Sequence, residues 1–375
     1  MQKILVLGSG LVGHAIAADL CREFEVHVAD ADLETLESVS SAHAVTPIHA
    51  DLSDPLQISR VVRGFDMVVN ALPGHMGYRA LERVVESGVN VVDIAFSPED
   101  PLELDQKARS SGVTAVVDCG VAPGLCNMIL GHESTRMEQI ESYSCMVGGL
   151  PVEREWPWEY KAGFSPADVL EEYTRPCRMI RNGELVVVPP LSEPERVEFK
   201  GIGTLEAFNT DGLRTLLKTM EIPNMKEKTL RYPGHAGLME ILASSGFFSR
   251  EELTLNGEKI KPLDFTGAIL FPQWKMRPDE ADFTVMRVNI SGTKDGGRME
   301  RSFELFDQYD WETRTTSMAR TTGYTCSSVV RVMAEGGIHS PGIVAPEQLG
   351  QDPDVFNRIL GLLEEHGVKI SGDFK

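Results

Sequence analysis

Apolar-rich runs, each followed by a stretch of helical period, set the texture of the first third of the chain. Ile4, Leu5, Val6 and Leu7 form one such run, as expected for a strand covered on both faces in a parallel sheet. Residues 26–29, 44–49, 66–71, 89–95 and 114–119 repeat the pattern. Strands alternating with helices in this way predict a doubly wound parallel sheet of order 3-2-1-4-5-6. Beyond about Glu138 the pattern changes to longer alternating stretches with aromatic residues. Residues 139–147, 283–293, 299–308 and 312–319 read as strands, with a hairpin turn at Lys294 to Gly297. Helices are expected at 166–173, 211–220 and 235–244. From Thr321 helical period returns, with Val329, Val330 and Met333 on one face and Phe356, Ile359, Leu360 and Leu363 on another. The organisation predicted is a first domain made of 1–124 and 321–375, interrupted by an α+β domain over 125–320.

The turn after the first run carries the first chemical signal. Gly8, Gly10 and Gly13 fall on G-x-G-x-x-G between a strand and a helix, the fingerprint of a Rossmann dinucleotide seat. Gly8 allows the tight turn, Gly10 lets the backbone approach a pyrophosphate, and Gly13 brings helix and strand together. Leu11 and Val12 open the helix whose free N–H groups and positive dipole end aim at that pyrophosphate. Asp30 ends the second strand, where an acid is expected to hold the ribose hydroxyls and to repel a 2′-phosphate. NAD is therefore expected over NADP. Ligands of such sheets lie beyond the carboxyl ends of the strands, which gathers Asp51 near the adenine and Asn70, Ala71 and Leu72 beside the nicotinamide. Asp93, Gly120 and Val121 fall on the same edge. Asp51 and Asp93 read equally as helix caps.

The charge balance narrows the partners. Against 36 Lys and Arg stand 56 Asp and Glu, a formal charge of −20, which disfavours nucleic acid and anionic membranes. No apolar run reaches the roughly 20 residues a membrane helix needs, and the first strand begins at once with no signal peptide ahead of it, so a cytoplasmic protein is expected. The cysteines and histidines show neither C-x-x-C nor H-x-x-x-H spacing, so neither a structural metal nor a disulfide framework is expected.

The strings KILVLGSGLVG, NALPGH, DCGVAPGL, VGGLP, the pair Tyr160-Lys161, TLRYPGH and MARTTGYT resemble the saccharopine dehydrogenase family over nearly the whole chain. The resemblance implies a Rossmann domain, an inserted substrate-binding and oligomerisation domain with a mixed sheet, a nicotinamide cofactor, and a homodimer or higher homo-oligomer. Within the family the likeness is strongest to members that oxidise free lysine at its ε-carbon. Thr210 stands in a stretch where members that handle saccharopine present an arginine, which again implies lysine. The segment NALPGHMGY departs from the pattern of the lysine-oxidising members.

Such chemistry moves a hydride from an amine-bearing carbon to NAD, and only a neutral amine releases it readily. His235, in RYPGH, is the first candidate for the base and His75 the second. Asp93 is placed to hold the proton or orient the ammonium. Arg231 is the expected carboxylate clamp, with Tyr160 and Lys161 placing the polar end of the substrate. Each also reads as ordinary packing or surface charge. The expected activity is NAD-dependent oxidative deamination of an amino acid, lysine first, giving a semialdehyde that cyclises. A secondary-amine dehydrogenase of the saccharopine type and a nucleotide-binding regulator without turnover remain as alternatives.

Overall fold

The computed structural model describes residues 1–277 and 280–372. The first half contains strands β1 (Lys3–Leu7), β2 (Glu25–Asp30), β3 (Val45–His49), β4 (Met67–Asn70), β5 (Asn90–Asp93) and β6 (Thr114–Val116). Helices α1 (Leu11–Leu20), α2 (Leu33–Ala42), α3 (Pro55–Val61), α4 (Gly74–Glu86) and α5 (Asp105–Ser110) alternate with them. The strands pair in parallel in the expected order, 3-2-1-4-5-6. Because side chains alternate across a strand, Ile4 and Val6 pack with Ile16 and Leu20 of α1 on one face, while Leu5 and Leu7 pack with Leu81 and Val84 of α4 on the other.

The second half begins with α6 (Leu125–Ser134) and the long strand β7 (Gln139–Pro151). It continues through α7 (Pro166–Thr174), β8 (Cys177–Arg181), β9 (Glu184–Val188), β10 (Glu195–Phe199), β11 (Gly203–Asn209), α8 (Leu216–Thr219), β12 (Asn224–Arg231) and α9 (His235–Ser244). A small hairpin, β13 (Leu253–Leu255) and β14 (Glu258–Ile260), precedes α10 (Pro262–Trp274), β15 (Asp282–Lys294) and β16 (Gly297–Gln308). β7 lies at the centre of a mixed sheet, parallel to β12 and antiparallel to β15. The turn joining β15 to β16 has Asp295 and Gly296 at φ of 50° and 72°, the left-handed pair that a two-residue hairpin requires.

Residues 312–319, expected as a strand, are a loop running into a helix. Their threonines suit strands, but Asp310 and Thr315 exchange backbone hydrogen bonds across a tight turn, and the Thr316 hydroxyl accepts from Ala319 N to start α11 (Ser317–Ala334). The helix expected over 211–220 is confined to α8, because Arg214 sits at φ 50° and delays it. The closing stretch, expected to return as a whole to the first half, divides. β17 (Gly342–Val344) adds to β6 as a further parallel strand of the first sheet, and α12 (Pro346–Gln351) and α13 (Pro353–Glu365) follow. β18 (Ile370–Gly372) instead covers the outer edge of β16 in the second sheet, and 373–375 lie outside the described residues. α11 packs on α1, Gly323 fitting against Ile16 and Ala15. Arg331 of α11 and His366 both reach the carboxylate of Asp19, at 2.7 and 2.6 Å. A single apolar core runs from Ile4 and Val28 through α6 and α11 to Val288 and Phe303, so the two sheets share one interior.

Candidate active site

A cleft of about 750 Å³ opens along the carboxyl edge of the first sheet and continues under the second. At its first end Gly8 has φ +100°, with its missing Cβ 2.7 Å from the Ala71 carbonyl oxygen, and a Cβ on Gly13 would lie 2.1 Å from the Gly8 oxygen. Gly10, by contrast, faces open space, and no side chain caps the helix that starts after it. The N–H groups at the start of α1 are therefore left to an anion, and the hollow before them is one a side chain at position 10 would fill. Asp30 is held ready: one carboxylate oxygen accepts from Ser9 N at 2.7 Å and the other from Asp32 N at 3.0 Å. Asp51 also lines this end, its carboxylate held below the usual range by the Ser53 hydroxyl and N–H. Leu11, Val12, Ala71, Leu72, Gly120 and Val121 complete the walls. Asn70 does not reach the cleft. Its amide donates to the Gly77 carbonyl at 3.0 Å and to Asp93 at 2.8 Å, tying β4 to β5 beneath the floor.

The other end is built from separated segments. β12 contributes Glu227, Thr229 and Arg231, alternate residues that share one face of the strand. Thr210 donates its hydroxyl to Glu227 at 2.8 Å and lies 2.9 Å from the hydroxyl of Thr229. Burial, reinforced by Glu172 and Asp211, pushes the Glu227 carboxyl up to about 8. From α7 and its end come Asp168, Glu171, Glu172 and Arg175. Asp168 accepts from Gly74 N at 3.2 Å, and burial raises both its carboxyl and that of Glu172. Arg231 lies over the Tyr160 ring, 4.4 Å from its centroid, and donates to Glu172 at 2.6 Å. Tyr160 is buried under that guanidinium, and desolvation holds its hydroxyl protonated. Asp118, which lines the floor between the two ends, pairs with Arg214 of the second half at 3.0 Å.

Several expected residues stand outside the cleft. His235 is buried among aromatic rings, with Nε2 at 2.9 Å from the Tyr173 hydroxyl and Nδ1 at 2.9 Å from the Trp158 carbonyl. Burial and nearby Arg231 push its pKa down to about 3, so it is a neutral structural histidine with both nitrogens engaged. His75 is exposed at the start of α4 and does not line the cleft. Asp93 lies under the floor, accepting from Asn70 and from Ala95 N at 3.1 Å, with burial pushing it up to about 8. Lys161 points away and pairs with Glu155 at 3.0 Å and Glu280 at 3.3 Å. Glu227, Asp168, Glu172 and Arg175 take the places these left. Of these, Glu227 shares one face of β12 with Thr229 and Arg231, but Asn224, Lys226 and Lys228 on the other face hide that pattern in the sequence.

A glycine-rich dinucleotide seat opening into a closed, charged pocket under a second sheet defines a nicotinamide-dependent oxidoreductase. Residues 4–116 match the saccharopine dehydrogenase NADP binding domain and residues 120–368 the saccharopine dehydrogenase C-terminal domain. The chain belongs to the saccharopine dehydrogenase family of amino-acid dehydrogenases. Its cofactor is NAD; among the described residues the Lys and Arg side chains lining the cleft are Arg175 and Arg231, both at its other end from Asp30, so no cation there answers a 2′-phosphate.

Among curated relatives, carboxyaminopropylagmatine dehydrogenase of Synechocystis is 22% identical over 96% of both chains. The saccharopine dehydrogenase [NADP(+), L-glutamate-forming] of Schizosaccharomyces pombe is 22% identical over 99% of this chain and 98% of that one. Mitochondrial alpha-aminoadipic semialdehyde synthase of Bos taurus is 26% identical over 98% of this chain, which spans 47% of that protein. In fold, the structure superposes on saccharopine dehydrogenase (L-Glu forming) of Saccharomyces cerevisiae with a TM-score of 0.80 at 19% identity over the whole of both chains. The homospermidine synthase of Legionella pneumophila gives 0.68 at 13% identity, over all of this chain and 91% of that one. Among the described residues no helix is long and apolar enough to cross a membrane.

Proposed function

We propose that the chain is an NAD-dependent dehydrogenase of a secondary amine in which an amino acid or diamine is joined through nitrogen to a second carbon chain, as in saccharopine. The observation that carries this reading is the substrate end of the cleft. It is large, bounded by Tyr160 and Arg231, and lined by carboxylates of both halves together with the guanidinium groups of Arg175 and Arg231. The activities for which the curated relatives are named, saccharopine dehydrogenase and carboxyaminopropylagmatine dehydrogenase, support the same class.

Bound NAD supplies the two-electron acceptor. The carbon beside nitrogen gives up a hydride, water adds to the resulting C=N bond, and the C–N bond breaks to leave an aldehyde or keto acid and a primary amine. Before that the amine must be neutral. Deprotonating an ordinary alkylammonium at pH 7 costs about 4 to 5 kcal/mol, more than a thousandfold in rate. Glu227 is the group placed to hold that proton. Its pKa of about 8 lies much closer to the amine than that of an ordinary carboxylate, so the transfer is nearly matched. Arg231 and Tyr160 keep water from this wall.

A second reading is oxidation of free lysine at its ε-carbon, the reaction of L-lysine 6-dehydrogenase. Thr210 favours it, because its hydroxyl is already committed to Glu227 and offers no charge to a second carboxylate arm. An NADH-formation screen at alkaline pH over saccharopine, other N-substituted amino acids, lysine, ornithine and polyamines separates the two. The first reading predicts NADH from an N-substituted amine at lower KM than from any primary amine, and is lost if lysine alone is oxidised.

The assignment of substrate binding and subunit contacts to 125–320 belongs to the same proposal, as does a homo-oligomer. Exposed Leu185 and Val187 on β9, which among the described residues pairs only with β8, support it. A cytoplasmic location accords with six free thiols.

A further inference from the structure

Four arginines stand in or just behind the substrate end of the cleft, and three are already engaged. Arg178 makes a two-pronged pair with Asp211 at 2.9 and 2.8 Å. Arg214 holds Asp118 and the Ser97 carbonyl. Arg231 donates to Glu172 and to the Leu230 carbonyl at 2.9 Å. Arg175 differs. Its Nε and both Nη atoms are buried with no hydrogen-bond partner, although the residue lines the cleft. Its nearest carboxylate, Glu171, is 3.5 Å away and is also held by Arg250.

The fork is nonetheless fixed in place. Its plane lies over the Phe96 ring, 4.7 Å from the centroid. Arg175 N closes α7 on the Glu171 carbonyl, and Pro176 holds the residue extended at φ −76°, ψ 127°. A guanidinium whose three nitrogens are buried without a hydrogen bond, and whose ion pair with Glu171 at 3.5 Å is shared with Arg250, is costly, and a carboxylate is the ligand that satisfies two of its nitrogens at once. Along the same helix Glu172 and Asp168 face the cleft one and two turns earlier. They offer negative charge to an ammonium while Arg175 offers its opposite.

We propose that Arg175 receives the carboxylate of the substrate's amino-acid arm, so that this enzyme selects amines bearing an α-carboxylate over the corresponding bare diamines. The assignment rests on the amine-dehydrogenase reading above and adds to it the group that sets substrate class. Decarboxylated diamines bring two cations to the acidic face of α7 but leave the Arg175 fork unanswered.

The test uses two pairs of probes that differ only by the carboxylate, L-lysine with cadaverine and L-ornithine with putrescine. Binding to the NADH-loaded protein is measured by calorimetry. Wild type is expected to bind the amino acid of at least one pair more tightly than its diamine. Arg175→Gln is expected to weaken that amino acid by about 10- to 100-fold while changing the diamine less than about threefold, with Arg175→Lys between the two. NADH affinity and melting temperature of each variant report folding. The proposal is overturned if wild type shows no preference for the carboxylate in either pair, or if Arg175→Gln weakens amino acid and diamine alike. Absence of NADH formation from every amine would instead count against the catalytic reading, which the binding measurement does not depend on.

Discussion

The Thr210 hydroxyl donates to Glu227 at 2.8 Å inside the substrate end of the cleft, and this bond favours the ionised form of a carboxyl that burial otherwise keeps protonated. NADH formation is therefore expected to rise with pH through a limb near the raised Glu227 pKa of about 8. Glu227→Gln should remove that limb and lower kcat by about 10² to 10⁴ with NADH affinity unchanged. Thr210→Val, which takes away a bond to the anion, should move the limb to higher pH. A limb that survives in Glu227→Gln places the proton acceptor elsewhere. Because the folded pKa of Glu227 is raised, the unfolded chain releases this proton first. Stability from this group is thus full below the ordinary carboxylate range and declines as pH climbs toward about 8, a loss Glu227→Gln should abolish in pH-dependent melting.

Gly10 and Gly13 should part company on substitution. A Cβ at position 13 meets the Gly8 carbonyl oxygen at 2.1 Å, whereas one at position 10 meets nothing within 4 Å. Gly13→Ala is expected to cost about 3 kcal/mol of stability and to weaken NADH as a result. Gly10→Ala should melt as the wild type does, yet bind NADH at least tenfold more weakly by calorimetry, because its methyl group enters the space in front of the α1 N–H groups. Equal NADH affinity in Gly10→Ala and wild type would move the pyrophosphate away from this turn.

Asp30 keeps its carboxylate fixed through Ser9 N and Asp32 N rather than through any cation. Replacing it by alanine is expected to weaken NAD by about tenfold, as the loss of charged hydrogen bonds to the ribose predicts, and to raise the relative affinity for NADP. The ratio of the two dissociation constants is the readout. Were it unmoved, Asp30 would not meet the ribose.

His235 is expected to matter for stability and not for proton transfer. Its variant His235→Gln should lose about 2 to 3 kcal/mol, since the Tyr173 hydroxyl and the Trp158 carbonyl each lose a partner in a buried setting. The pH profile of kcat should keep its shape. With a folded pKa depressed to about 3, His235 contributes stability that is fully present above the ordinary histidine range and is lost as pH falls toward about 3. Acid melting curves of the variant should lack that component. A kinetic limb between pH 6 and 7 in wild type that disappears with His235 would reverse the assignment.

How much of this was legible beforehand follows from where the residues lie along the chain. The dinucleotide seat is compact: Gly8 to Gly13 and Asp30 belong to one strand, turn, helix and strand, and apolar-rich runs marked β1 to β6 of the first sheet. β17 was missed because three residues, Gly342 to Val344, are too few to show a period. The strands from β8 to β12 were missed because their charged residues, as in Glu195-Arg196-Val197-Glu198-Phe199, blur the alternation on which a strand is recognised. The substrate end is assembled from Tyr160, Arg175, Thr210, Glu227 and Met318, which meet only through tertiary packing. His235 was chosen for its solution pKa and for the string around it. Neither discloses that Tyr160 and Tyr173 pack on the ring and that the Trp158 carbonyl engages its Nδ1.

One interior runs beneath both sheets, and the polypeptide passes between them repeatedly: into the second at β7, back to the first at β17, and out once more at β18. Such threading leaves little play for a jaw-like swing of one half against the other. Heat, for the same reason, should take the protein apart in a single step, with no surviving half able to hold the dinucleotide alone.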